Sequence, residues 1–263
     1  MASLCQREGA SCGACCGLYN RSDLSRGAIR DGLRRSTALL AQTPRTPEAF
    51  HAAAAARSRE LPAPVFPSIR ICPLLGFLDA AEERVGCLGH PEVTGGADLR
   101  ACGVYDVLTC DTFLCPSHAG LREEDVALVA GAAGGFHLYG LVATDAPFVQ
   151  AVLGALAART GRRPAPADLR HPPFAAGLRA LFALKEELEP GSEGIFGAFR
   201  VEPRAPPEEA GAEDASEDPA DRILAALGAD AASGNDEDAL RAEVVLRLDR
   251  CAAALAEAAR AAR

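Results

Sequence analysis

The chain has 263 residues, a formal net charge of −9 and ten cysteines. An acidic balance excludes a general nucleic-acid binder, which needs a basic face, and the lack of tryptophan with 5% aromatics excludes a stacking platform for single strands. The length allows one large domain or two small ones and buries a core without covalent staples.

Nine of the ten cysteines fall between Cys5 and Cys115. The segment Met1 to Glu8 has no apolar core that would serve as a signal peptide, and only three residues precede Leu4-Cys5, too few for a lipoprotein signal. No run approaches the roughly 20 apolar residues of a membrane span. The expectation is a cytoplasmic chain in contact with neither membrane nor nucleic acid. In that reducing setting clustered thiols are metal ligands or redox groups rather than structural disulfides.

The first element is the knot Cys5…Cys12-Gly13-Ala14-Cys15-Cys16. A C-x-x-C turn aims two sulfurs at one point, as a tetrahedral metal or an iron–sulfur cluster requires, and Cys16 adds a third. Ser22 or Asp23 is expected to cap a helix running to about Ala41. A second helix is expected from Pro47 to Glu60, with proline in its first turn. The stretch from Cys72 to Cys115 reads as irregular, with Leu74-Leu75-Gly76-Phe77-Leu78 passing into a short helix; metal ligation is what would order such loops.

Beyond Cys115 the pattern turns helical. Arg122 to Ala133, Ala146 to Arg159 and Phe174 to Leu188 carry apolar residues at helical spacing, Val126, Val129 and Ala130 forming one face and Val149, Val152, Leu153 and Leu156 another. Gly131, Gly134 and Gly135 match no nucleotide-binding fingerprint and are expected to break the first of these helices. Residues 202–219 are proline, alanine and acid and read as a disordered linker. Helix Glu237 to Ala262 carries Leu240, Val244, Leu248, Cys251 and Leu255 in one stripe, which must be buried on the domain or on a protein partner. Cys251 belongs to that stripe as a small hydrophobe.

The fold class expected is mainly α: an irregular, cysteine-rich, metal-stapled N-terminal half packed on a helical C-terminal half. Its divisions are a cysteine-cluster region 1–120, a helical region 121–201, the linker 202–219 and a helical segment 220–263.

Cys5, Cys12-Gly13-Ala14-Cys15-Cys16, Cys72-Pro73-Leu74-Leu75, Cys87 and Cys110-Asp111-Thr112-Phe113-Leu114-Cys115 together resemble the YkgJ-like cysteine-cluster family of bacterial proteins. That family is described as zinc- or iron-chelating, and its pattern runs C…C-G-x-C-C, C-P-x-L, C-x-x-Y and C-R-x-F-x-C. The resemblance covers about residues 5–118. Asp111 stands where the family has arginine, and Cys87-Leu88-Gly89-His90 stands where C-x-x-Y would be. Cys102 is an extra cysteine three residues before Tyr105, and Cys87 is taken as the family position because of its distance from Cys72-Pro73. The missing arginine puts in doubt any anion or substrate contact it would make.

The resemblance implies eight metal-ligating thiols: Cys5, Cys12, Cys15, Cys16, Cys72, Cys87, Cys110 and Cys115. Four thiolates close one zinc site or hold one cubane cluster. Because successive side chains diverge, Cys15 and Cys16 do not easily face one small ion, which favours two neighbouring metals or a multinuclear cluster. All-thiolate coordination suits zinc and iron alike. His118 and His90 have ligand-like spacing but are read first as exposed or capping residues. Arg26, Arg30 and Arg34 share a helix face that is solvated by default, or that offsets the charge of a thiolate cluster. No hydrolytic motif is visible. The function expected is a cytoplasmic protein coordinating zinc or iron, an iron–sulfur cluster included, through clustered thiolates. Similarity of the cysteine region to flagellin lysine N-methylases implies a first alternative, an iron–sulfur enzyme modifying a protein side chain. The second alternative is a zinc-stabilised module that engages a protein through its last helix.

Overall fold

The computed structural model describes residues 4–7, 9–67, 69–187, 218–227 and 235–261. Its regular structure is mainly helical, with two small antiparallel hairpins. The chain divides into two units, Met1–Cys115 with Gly135–Gly140, and Pro116–Gly134 with Leu141–Arg263.

The first unit opens with β1 (Gln6–Arg7) against β2 (Ala10–Ser11), in register Gln6↔Ser11. A single 3-10 turn, Ala14–Cys16, ends at Gly17. Helix α1 (Arg26–Ala41) starts later than the sequence suggests. Ser25 is the residue whose side chain accepts from Ala28 N–H, while Asp23 accepts from Ser25 N–H. Helix α2 (Pro47–Ser58) begins as expected, with Thr46 capping and proline in the first turn. Arg57, almost fully buried, ties α2 to α1 by donating to Ser36 Oγ (2.9 Å) and Gly32 O (3.0 Å).

The apolar run Leu74–Leu78 does not pass into a short helix. It supplies β3 (Leu75–Phe77), paired with β4 (Val85–Cys87) in register Leu75↔Cys87. A continuous apolar run is as compatible with a buried strand as with a buried helix, and all three β3 residues are buried. The strand lies against α1, where Thr37 Oγ1 accepts from Phe77 N–H at 2.8 Å. The N-terminal hairpin latches onto β4: Gln6 donates to Val85 O and Val85 N–H donates to Ser11 Oγ, both at 2.8 Å. Short helices α3 (Pro91–Thr94) and α4 (Val107–Thr112) flank a 3-10 turn at Arg100–Cys102. One core of this unit gathers Leu40, Phe50, Ala54, Leu74, Leu88, Leu99 and Cys102.

The second unit holds α5 (Ser117–Gly120), α6 (Glu123–Ala133), α8 (Ala146–Thr160), α9 (Pro172–Phe182), α10 (Leu184–Glu187), α11 (Pro219–Ala226) and α12 (Asn235–Ala261). Helix α7 (His137–Ala143) gives its first residues to unit one. Helix α6 runs through Gly131 and stops at Gly134, where φ is +62°. The helix expected over 174–188 is broken at Ala183 into α9 and α10. The stripe of α12 is covered inside its own unit: Val244, Leu248, Cys251 and Leu255 are fully buried, and the helix packs on α8 and α9. Except for Asp218 and Pro219, the acidic stretch 202–219 lies outside the described residues. Among the described residues no single helix is long and apolar enough to cross a membrane.

The chain's one lysine is a structural residue. Lys185 is buried, pairs with the buried Asp145 and sits over the Phe148 ring at 5.4 Å. Asp145 also caps α8 by accepting from Phe148 N–H. Lys185→Ala leaves that carboxylate buried without its cation and is expected to cost about 3–5 kcal/mol, read from denaturant unfolding. Cys251→Ala, which only trims the α12 seam, is expected to cost about 1–2 kcal/mol.

Candidate metal centre

None of the ten cysteines is in a disulfide. The fold brings eight of them into two neighbourhoods within the first unit. Around Cys15 stand Cys5, Cys12 and Cys115: Cys15 shares hydrogen bonds with the Cys115 and Cys5 sulfurs, and Cys12 is also close. The β1–β2 hairpin sets this arrangement, since Cys12 N–H donates to Cys5 O at 2.9 Å. Around Cys16 stand Cys72, Cys87 and Cys110. Here Cys72 N–H donates to Cys16 O at 2.9 Å, and β3–β4 pairing carries Cys87 beside Leu75. Cys16 also feels Cys5, so the two neighbourhoods adjoin.

The adjacent pair Cys15-Cys16 therefore sends one sulfur to each set, as diverging successive side chains require. Gly17 makes the turn possible. Its φ is +79°, and a Cβ there would lie 2.4 Å from Arg70 O. Gly103 is tight for a related reason, because a Cβ on it would stand 3.0 Å from Cys72 Sγ.

Three of the eight sulfurs accept a backbone N–H from the residue two positions on. Ala14 N–H reaches Cys12 Sγ at 3.4 Å, Leu74 N–H reaches Cys72, and Gly89 N–H reaches Cys87. Cys72 also accepts from Val104 N–H. A neutral thiol is a weak acceptor, so donors converging on sulfur suit the thiolate.

Crowding sets the electrostatics. Burial, then Cys5, pushes the Cys12 thiol up. Cys15 is pushed up first by its hydrogen bonds with Cys115 and Cys5 and then by burial. In the second set burial raises Cys16, with Cys72 and Cys87 adding to it. Cys87 is pushed up to about 12 by burial and then by Cys72. Burial also raises Cys72 and Cys110, the latter against the pull of Arg100. Among the described residues no group of three or more His, Cys, Asp or Glu side chains is closed to metal-ligand spacing. The sulfurs are gathered as neighbours, short of a finished coordination sphere.

Several surrounding residues were not legible as site residues. Arg100 pairs with Asp98 (2.7 Å) and with Asp111, and its charge favours the thiolate forms of Cys87 and Cys110. It brings a guanidinium to the element in which Asp111 replaces the arginine of the resembled pattern. Tyr105 Oη accepts from Arg70 N–H (2.9 Å) and donates to Arg70 O (3.2 Å), steadying the approach to Cys72. At the first set Tyr139 donates to Leu4 O at 2.8 Å and hydrogen-bonds Arg7. The α1 arginines act elsewhere: Arg30 and Arg34 are paired with Glu82 at the β3–β4 turn. His90 Nδ1 accepts from Glu92 N–H and caps α3, and His118 lies in the second unit, half-buried. Cys102 sits apart in the apolar cluster, with its Sγ 3.5 Å from Pro47 O.

Comparison of the chain with family models, with curated proteins and with solved structures finds no match.

Two substitutions separate packing from site geometry. Cys102→Ala is expected to lower stability by about 1–2 kcal/mol through a small cavity and to leave metal content unchanged, whereas Cys87→Ser lowers metal content. Metal analysis of the two purified variants checks this, and loss of metal in Cys102→Ala alone would reverse the assignment. Gly17→Ala forces an alanine into the left-handed region, at roughly 1–2 kcal/mol for the conformation alone, and pushes its Cβ into Arg70 O. A lowered melting temperature is the expected reading.

Proposed function

We propose that the protein binds zinc or iron, an iron–sulfur cluster included, through the thiolates of Cys5, Cys12, Cys15, Cys16, Cys72, Cys87, Cys110 and Cys115. The observation that carries the reading is the sorting of eight unbridged thiols into two sets of four, with backbone N–H groups aimed at sulfur in both. Four thiolates suffice for a zinc site or a cubane cluster. N–H groups that donate to a ligating sulfur orient and tune it. Membership of the YkgJ-like cysteine-cluster family, and residence in a reducing cytoplasm that keeps these thiols free, belong to the same proposal. The stripe of α12 is covered within its own unit, so nothing in it favours the interaction-module reading.

Metal must displace protons from these thiols. Each would-be ligand for which a shift is resolved is held protonated at neutral pH by burial and by its neighbours, so uptake releases protons and affinity rises with pH. Anaerobic purification followed by metal analysis and a visible spectrum is the direct test. Zinc leaves the protein colourless; iron–thiolate coordination gives a broad charge-transfer band. Chelation is expected to expose the first unit to protease. Anaerobically prepared protein that carries no metal, takes up neither Zn2+ nor Fe2+ and keeps its fold would overturn the proposal.

A further inference from the structure

The two sets of thiols are held very differently. In the first, Cys115 is 5% exposed, the remaining three are half-buried, and the surrounding backbone is pinned from several directions. Cys12 N–H holds Cys5 O, Tyr139 holds Leu4 O, Gly135 N–H donates to Gly9 O, and β1 is latched to β4 through Gln6. Every residue that carries a sulfur of this set lies in, or next to, a hydrogen-bonded or buried segment.

In the second set Cys16, Cys72 and Cys87 are pinned likewise, by the Cys16–Cys72 backbone bond, the β3–β4 pairing and the N–H···S contacts. The fourth member is not. Cys110 is the one exposed cysteine of the ten. It rides on α4, a helix of six residues none of which is buried. The whole stretch 103–114, between the buried Cys102 and Cys115, contains no buried residue. Leu108, Phe113 and Leu114 are 72%, 51% and 65% exposed. What holds this strap is polar: Val104 N–H on Cys72 at its start, then the Asp106 cap on Thr109 N–H, the Tyr105–Arg70 bonds and the Arg100–Asp111 pair. A segment with few buried apolar contacts and exposed hydrogen bonds opens locally at low free-energy cost.

Resting on the metal-binding reading, we propose that the two sets are unequal sites. Cys5, Cys12, Cys15 and Cys115 close around a metal that is kept, whereas Cys16, Cys72, Cys87 and Cys110 form an exchange site that gains and loses a soft divalent cation by release of Cys110. When the strap lifts, Cys110 would leave the ion with its electron pair and take up a proton from solvent, and three thiolates would remain. A donor or acceptor ligand from solution, a thiolate or imidazole of a carrier for instance, then takes the vacated position. Coordination number is conserved and no redox change is needed. The cargo is a cation that tolerates both three protein thiolates with one exogenous ligand and four protein thiolates, as Zn2+ does. Arg100, which pairs with Asp111 on the strap, is the positioning residue for closure.

The test uses the full chain reconstituted anaerobically with Zn2+ and challenged with an excess of a chromophoric chelator. The expected trace has two phases, one equivalent leaving at least about tenfold faster than the other. Cys110→Ser should remove or accelerate the fast phase and leave the slow equivalent and the helical circular dichroism in place. Arg100→Gln should speed the fast phase alone. In parallel, iodoacetamide labelling of the zinc-loaded wild-type protein should modify Cys110 before any other site thiol, a reading that needs no variant to fold. Release of both equivalents in one phase, loss of the slow equivalent in Cys110→Ser, or labelling of Cys12 or Cys15 as fast as Cys110 overturns the inference while leaving metal binding intact. Failure to take up any zinc or iron overturns the underlying reading as well, so the two failures are distinguishable.

Discussion

Two cysteines side by side cannot point the same way, and the first unit is organised around that constraint. Cys15 and Cys16 sit at the end of one 3-10 turn, and their sulfurs leave it in different directions. Each then collects three more sulfurs from elsewhere in the chain. The hairpin β1–β2 serves Cys15, the hairpin β3–β4 serves Cys16, and the segment 110–115 supplies one sulfur to each. The tie between the hairpins, through Gln6, Ser11 and Val85, keeps the two gatherings adjacent. Gly17 follows at once in the left-handed region, because the chain must turn there against the backbone of Arg70 and Ile71.

Electrostatics explains why such a gathering would favour a bound cation. Each thiol that ionises makes the next harder to ionise, and burial opposes all of them. A bound divalent ion inverts this logic, since its own charge is the largest in the site and a coordinating thiol is deprotonated outright. The protein's own positive charge is placed sparingly. Arg100 stands by the second set, and Arg7, hydrogen-bonded to Tyr139, stands by the first. The arginines of α1 lie close to the knot in sequence, yet Arg30 and Arg34 are engaged by Glu82, whose φ of +57° places its carboxylate at the hairpin turn.

What could be read from sequence was local, and what could not was pairing at a distance. Thr46 with Pro47, the apolar faces of α6 and α8, and the α12 stripe are short-range signals of capping and periodicity, and each corresponds to an observed helix. Leu74–Leu78 misled because a run of apolar residues has no period to distinguish strand from helix. Diverging side chains predict that Cys15 and Cys16 part company, but no spacing rule says that Cys110 and Cys115 part as well. Nor could spacing reveal that Gly135–Gly140, far down the chain, returns to brace the first unit through Gly135 and Tyr139. Arg100 was invisible for the same reason: its partner Asp111 looks like a lost arginine until the two are seen together.

The placement of the eight proposed ligands also bears on what coordination would do for folding. Among the described residues, Cys72 is reached through 59–67 and 69–71, and Cys110 and Cys115 through 103–115, stretches with little regular structure beyond α4. Fixing such backbone costs about 1–2 kcal/mol per residue, and the second stretch recovers almost none of it by burial. The second unit differs, with a continuous apolar interior drawn from α6, α8, α9, α11 and α12. Structural zinc bound by thiolates is worth on the order of 10–16 kcal/mol in small domains, which would offset only part of the cost of ordering such a strap. On the proposed reading, ligation and folding of the first unit would be one equilibrium, shared unevenly: a ligand on a hydrogen-bonded hairpin would spend little of the metal's free energy on order, and Cys110 would spend most of its share there.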